Sequence, residues 1–220
     1  MMLAMMMMSM IQVDYEVLYT DTVRATLLEY DTTRPYLPSS PSNGVVEEDP
    51  YVMRWGPVQD EHWGDVHYYN YDALCTDVST FPKPRFASEY GFQAFPSLIT
   101  LSAISEPSDW APTSPLMVHR QHHTNGTQQL MNQMAMHFTM PQNSNSTKYF
   151  NDWIYLTQCV QTMCIKTESE HYRRGKGEQA HTMGALYWYD LRAQLHFAPS
   201  GSLASHLRVV GVSLPTYIGS

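Results

Sequence analysis

Between Phe150 and Tyr172 the residues Trp153, Leu156, Val160, Met163, Cys164 and Thr167 return at three- and four-residue steps, the period of a long helix that buries one side. A shorter helical stretch, TQQLMNQMAMHF, precedes it, and polar NSNST, residues 143–147, joins the two. An earlier stripe, Tyr15, Tyr19, Val23, Leu27 and Tyr30, predicts a helix near the start that stops before the Pro- and Ser-rich DTTRPYLPSSPSNG. Four short runs read as strands. RPYLPSS comes first and RFASEYG third, while the second, GDVHYYNYD, alternates His67, Tyr69 and Tyr71 against Val66, Tyr68 and Asn70. HTMGALYW is the fourth, beyond both later helices. Strands separated by helices predict an α/β architecture with parallel strands.

Composition removes several classes of function. A chain of 220 residues with 43% hydrophobic and 15% charged residues is rich enough in apolar surface to bury a core, so it is not a disordered tail. Its 13 Lys and Arg against a net charge of −8 argue against nucleic acid, because phosphate neutralisation needs clustered cations and YRRGK is the densest basic spot. The three cysteines, Cys75, Cys159 and Cys164, predict no disulfide framework, and no zinc-type spacing of Cys or His appears. HRQHH, residues 119–123, sets His119, His122 and His123 at steps that suit two metal-facing imidazoles on a helix. No third ligand is signalled beside them, so a solvated or substrate-facing loop is expected and neither metal nor cofactor. Neither G-x-S-x-G nor the phosphate-loop motif occurs.

The opening MMLAMMMMSMIQV lacks the basic leader and small-x-small site of a signal peptide, and no later segment has the apolar length of a membrane span. Asn125-Gly126-Thr127 and Asn145-Ser146-Thr147 are glycosylation sequons.

In an α/β barrel the working residues sit where strands end, at one rim. Read that way, the four runs deliver Ser39, Ser40 and Asn43, then Tyr69 to Tyr71, then Glu89, then Trp188. A carboxylate among phenols and an indole suits a sugar, since aromatic faces stack on the C–H side of a pyranose and an acid attacks the anomeric carbon or moves the proton. Glu89 thereby stands out from the surface charge that an isolated Glu ordinarily is.

RPYLPSSPSNG, GDVHYYNY, PKPRFASEYGFQAFPS, HRQHH, YLTQCVQTMCIKTESEHYRRGKGE and HTMGALYW, in this order, resemble the catalytic domain of animal β-mannosidases, glycoside hydrolase family two. The resemblance runs from about Asp14 to Trp188. It implies the C-terminal half, strands five to eight, of a TIM-type (β/α)8 barrel, with S-E-Y-G at the end of strand seven. Glu89 is then the nucleophile of a retaining exo-hydrolase that removes terminal β-linked mannose, with His67, Tyr69, Tyr71 and Trp188 as substrate-binding residues. Either Tyr69 or Tyr71 is expected to hydrogen-bond Glu89, and Trp188 to stack under the sugar. The parent family implies a lysosomal location and a β-mannoside oligosaccharide as partner, with no nucleic acid and no membrane. Oligomeric state is not implied.

Two departures qualify that reading. The family's acid/base glutamate follows an asparagine, and no Asn-Glu pair occurs in these 220 residues. After Trp188 the sequence YDLRAQLHFAPSGSLASHLRVVGVSLPTYIGS leaves the family pattern. The expected organisation is therefore a Met-rich start over 1–13, a partial catalytic barrel over 14–188 and a divergent tail over 189–220. The competing expectation is a catalytically silent fragment or isoform that binds sugar or another chain.

Overall fold

The computed structural model describes residues 10–188, so the first nine residues of the Met-rich start and the tail expected over 189–220 lie outside the described residues. The described residues form a mixed α/β chain that divides into two compact units, one of residues 10–68, 82–90 and 172–186, the other of 69–81, 91–171 and 187–188.

The first unit opens with helix α1, residues 10–28, whose middle, Glu16–Arg24, is π-helical and whose last turn, Ala25–Leu28, returns to α geometry. Only the front of its predicted stripe is packed. Tyr15 meets Tyr19 at 4.6 Å and Trp55 edge-on at 5.9 Å, and its hydroxyl donates to the Pro38 carbonyl at 3.0 Å. Tyr30, at the back of the stripe, is 85% exposed.

RPYLPSS is not a strand. Pro35 and Pro38 carry no N–H to give a ladder, and the segment is held by phenols instead: Tyr51 donates to the Tyr36 carbonyl at 2.9 Å and Tyr36 to the Tyr19 carbonyl at 2.8 Å. The acidic stretch after it forms an antiparallel hairpin, β1 (Val45–Glu48) with β2 (Tyr51–Met53), which the sequence reading passed over as a connection. Arg24 lies 4.2 Å over the Tyr51 ring, which ties α1 to the hairpin.

A three-stranded sheet carries the other predicted strands in the order β3 (Val66–Tyr68), β4 (Phe86–Tyr90), β5 (Gly184–Tyr187). β3 and β4 are parallel, with His67 opposite Glu89. Ala87 and Tyr90 of β4 are buried, and Tyr90 packs edge-on against Tyr172 at 5.0 Å.

The second unit is helical. It comprises α2 (Leu98–Leu101), α3 (Pro115–Gln121), α4 (Gly126–His137) and most of α5 (Ser146–Arg174). α3 starts where Ser114 accepts from Met117 N and Pro115 supplies the first-turn residue that needs no donor. The polar linker between α4 and α5 is a cap: Asn145 Oδ1 accepts from Lys148 N at 2.9 Å. The predicted stripe of α5 meets a core that includes Phe92, Phe95, Met117, Leu130, Met134 and Phe150. Trp153 lies at its centre, fully buried, with Phe95 edge-on at 4.9 Å and Phe150 stacked at 6.1 Å.

The cysteines correct the sequence reading. Cys75 and Cys164 form a disulfide across 89 residues, their Cα atoms 5.2 Å apart, and Cys159 is the thiol left over. An odd count forbids full pairing but says nothing about two cysteines that the fold brings together on the inner side of α5.

Trp153→Ala empties a fully buried site beside Phe95 and Phe150. Trp153→Ala is expected to cost about 3–5 kcal/mol, read as a lowered urea midpoint of the α-helical circular dichroism signal.

Candidate active site

In the first unit the site grows from one buried acid. Gly64, at a φ of 64°, has no Cβ to strike the Ser42 carbonyl, so the chain entering β3 lies against the Ser42 segment and Asp65 N donates to Ser42 O at 2.9 Å. The Asp65 carboxylate is 6% exposed and is met by four donors. Ser42 gives Oδ1 its backbone N–H at 2.6 Å and its hydroxyl at 3.0 Å; Ser40 Oγ reaches Oδ2 at 2.5 Å, and Ser88 Oγ donates to the same oxygen. Burial pushes the carboxyl up, but the hydrogen bonds from Ser40, Ser88 and Ser42 outweigh it and hold Asp65 below the usual carboxylate range.

Ser40 Oγ also lies 2.8 Å from His67 Nε2, and the opposite ring nitrogen, Nδ1, lies 3.4 Å from Glu89 Oε2. Glu89 is the penultimate residue of β4, near the C-terminal end of a strand parallel to β3, in the row of His67. Of the predicted site residues, then, Ser40, His67 and Glu89 come together within one unit. The sequence reading missed Asp65, Ser42 and Ser88. Their signal is weak, since an Asp after Gly at a strand entrance looks like a solvated turn residue until Ser42, 23 positions earlier, is folded over it. Asn43 serves structure, donating to the Pro57 carbonyl at 2.9 Å.

The second unit holds the aromatic residues of the prediction. Tyr69 and Tyr71 lie just beyond the end of β3, with ring centroids 6.4 Å apart. Tyr71 packs edge-on against Phe92 at 5.2 Å and His123 at 5.1 Å, so it is partly a core residue. Its loop is pinned by Gln133, fully buried on α4, which donates to the carbonyls of Tyr71 at 3.1 Å and Ala73 at 2.5 Å and accepts from Cys75 N at 3.3 Å. The loop after β4 is held in the same way from α5: Gln161 donates to Phe92 O at 2.7 Å, Gln158 donates to Phe95 O at 3.0 Å, and Thr157 Oγ1 accepts from Phe95 N at 3.1 Å. Trp188, 57% exposed, comes close to Gly91 by its backbone, and Tyr69 borders the same spot. In HRQHH, His119 and His122 pair edge-on at 5.3 Å while His123 turns to Tyr71. Among the described residues no three His, Cys, Asp or Glu side chains converge as a metal would need.

These arrangements lead to two expected outcomes. Asp65→Asn puts an amide where two segments aim four donors, and the Ser42 N–H cannot turn away. It is expected to cost about 1–3 kcal/mol for each donor left unpaired. Because the folded carboxyl lies below its unfolded value, its stabilisation is present above the unfolded value and is lost as pH falls through the folded one. Urea midpoints of the parent should therefore drop on acidification below about pH 4 by more than those of Asp65→Asn. Gly91→Ala puts a Cβ 2.5 Å from the Trp188 carbonyl oxygen, backbone that must move, and a changed Trp emission spectrum with the fold retained is the expected result.

No family model matches the chain. Among curated proteins it is similar to β-mannosidase of Rattus norvegicus, 43% identical over 186 residues, and to that of Bos taurus, 44% identical over 179 residues. Each match takes in 80% of this chain and 20% of the relative, so the chain spans about a fifth of their length. Among solved structures it resembles the β-D-mannosidase of Dictyoglomus thermophilum, with a TM-score of 0.58 and 29% identity, over 80% of this chain and 20% of that one. The resemblance carried by the motifs of residues 14–188 therefore holds, and over four fifths of its length this chain is a homologue of the animal β-mannosidases.

Proposed function

We propose that this chain is the nucleophile-bearing part of a retaining β-mannosidase, in which Glu89 attacks the anomeric carbon of a terminal, non-reducing β-D-mannose. The observation that carries the reading is the position of Glu89 near the C-terminal end of β4, parallel to β3 and facing His67, in a homologue of proteins named β-mannosidases. β3, β4 and β5 then correspond to strands six, seven and eight of a TIM-type barrel, and residues 14–188 to its C-terminal half. The segment around Ser40 stands in the place of strand five.

The chemistry is a double displacement. A Glu89 oxygen bonds to the anomeric carbon as the glycosidic bond breaks and the leaving oxygen takes a proton from a second carboxyl. Water then cleaves the glycosyl ester, with that second group acting as base. The second carboxyl belongs to the part of the relatives that this chain does not span, since these 220 residues contain no Asn-Glu pair. The family resemblance assigns the rings of Tyr69 and Trp188 to the C–H face of the sugar. A lysosomal setting fits the animal relatives, and the sequon residues Asn125 and Asn145 are both exposed at helix starts.

The absent acid also favours a second reading, a silent fragment that binds sugar or another chain. Both readings are tested with Glu89→Gln in a full-length enzyme carrying this segment. The substitution keeps shape and loses the attacking charge, so kcat is expected to fall by orders of magnitude with KM little changed. Near-normal turnover removes the assignment. Incubating the 220-residue chain with an activated aryl β-mannoside and reading intact mass separates the two, since only the first expects an adduct on Glu89. General acid help is typically worth about 10²- to 10⁴-fold, so turnover of unactivated mannobiose by the chain alone is expected to be negligible.

A further inference from the structure

The line Asp65, Ser40, His67, Glu89 does more than place four polar groups side by side. Ser40 has one proton to give. Ionised Asp65, an acceptor only, lies 2.5 Å from its oxygen, and Ser88, whose own proton goes to Asp65, lies 3.1 Å away. Either neighbour draws the Ser40 proton away from His67. The Ser40 oxygen can then only accept from His67 Nε2 at 2.8 Å, which places a proton on Nε2. On the far side of the ring, Nδ1 faces Glu89 Oε2 at 3.4 Å. A bare nitrogen lone pair against a carboxylate repels, and that ion-pair contact is favourable only with a proton on Nδ1.

We propose that His67 is a positioning residue for Glu89: Asp65, acting through Ser40, sets its ring with Nε2–H toward Ser40, and a second proton on Nδ1 gives the ring an ion-pair contact that draws the Glu89 carboxylate to it. This replaces the substrate-binding role that the sequence reading gave His67, and it rests on Glu89 being the nucleophile. The order Ser40, His67, Glu89 is also that of a hydrolase triad. A nucleophilic serine, however, must give its proton to the imidazole, whereas here the acceptors at 2.5 and 3.1 Å take it.

His67 is largely shielded by this arrangement. Its side chain is 15% exposed, its backbone N–H donates to Gln59 Oε1 at 2.7 Å, and Asp65 Oδ2 stands 4.0 Å from Nε2. The ring therefore lies between two carboxyls on the same unit, one sensed through a hydroxyl and the other directly. Loss of the Glu89 charge on forming the glycosyl ester removes the ionic attraction to the Nδ1 proton, so the contact favours the carboxylate before attack and weakens once the bond has formed.

The test is nitrogen NMR of the 220-residue chain labelled with ¹⁵N-histidine, with the His67 signals assigned through His67→Gln. The expected spectrum shows Nε2 protonated and Nδ1 protonated or proton-sharing. In Glu89→Gln, Nδ1 is expected to move toward a bare nitrogen while Nε2 stays, and in Ser40→Ala the Nε2 preference is expected to relax, with the remaining histidine signals reporting that each variant is folded. A His67 carrying its only proton on Nδ1, or signals unmoved in Glu89→Gln, overturns the proposal whether or not the chain reacts with sugar. A second readout is the rate at which a 2-deoxy-2-fluoro-β-mannosyl fluoride, which needs no acid, labels Glu89 by intact mass. His67→Asn, which keeps a donor toward Glu89, is expected to label at near the parent rate, and His67→Gln about a hundredfold more slowly. Equal loss in both variants reduces His67 to packing. No labelling of the parent chain instead counts against the nucleophile reading and leaves the NMR outcome to decide the proton placement.

Discussion

A buried carboxylate with every lone pair directed at a donor organises the first unit. Removing an ionised carboxyl from water costs far more than any single hydrogen bond returns, so the site persists only because Ser40 and Ser42 of one segment and Ser88 of β4 converge on Asp65. The consequence runs outward. The serine-rich segment is held against the start of β3, Ser88 holds β4 against the same acid, and the row that contains His67 and Glu89 inherits its geometry from both. Gly64 is a condition of this arrangement, because a side chain there would force the Ser42 carbonyl away from Asp65. The same network continues from the Ser40 hydroxyl of the Pro-rich segment to His67 and from His67 to Glu89.

The second unit solves the opposite problem. Its loops carry exposed backbone groups across an apolar core, and helices supply the partners. Gln133 is buried among Leu130 and Met134 of α4 because its amide completes the turn after β3, and Thr157, Gln158 and Gln161 interrupt the apolar face of α5 to serve Phe92 and Phe95. Replacing such a glutamine by a leucine of similar size would enlarge the apolar area while leaving two or three backbone groups unpaired, which costs more than the area returns. Conformational precision near Tyr71 therefore comes from polar residues at positions where a helical stripe alone would call for apolar ones.

The resemblance to β-mannosidases and the local chemistry were read from the same stretches, SEYG and GDVHYYNY, and they converge without being the same argument. Similarity at 43–44% identity says what kind of protein carries these motifs. The hydrogen-bond directions around Ser40 say what each group can donate, and they set His67 between Ser40 and Glu89.

Periodicity was enough to predict α4 and α5, because a helix that buries one face repeats its apolar residues at a spacing no strand shares, and α5 is observed from Ser146 to Arg174 around the predicted stretch. It was likewise enough for the cores of β3, β4 and β5, whose runs are short and bounded by turns. It failed for RPYLPSS, where β-like side chains sit between prolines that cannot join a ladder, and for the acidic hairpin β1–β2, whose pairing is made by backbone groups common to every residue. The Cys75–Cys164 bond and the Asp65 cluster were out of reach for the same reason. Each joins residues far apart in sequence, and the identity of a cysteine or an aspartate carries no record of which distant segment will close over it. The residue types in the row of His67 and Glu89 were thus decided by the sequence. Which of them donates a proton, which accepts one and which is buried depended on the tertiary contacts that bring Ser40 and Asp65 to the side of His67.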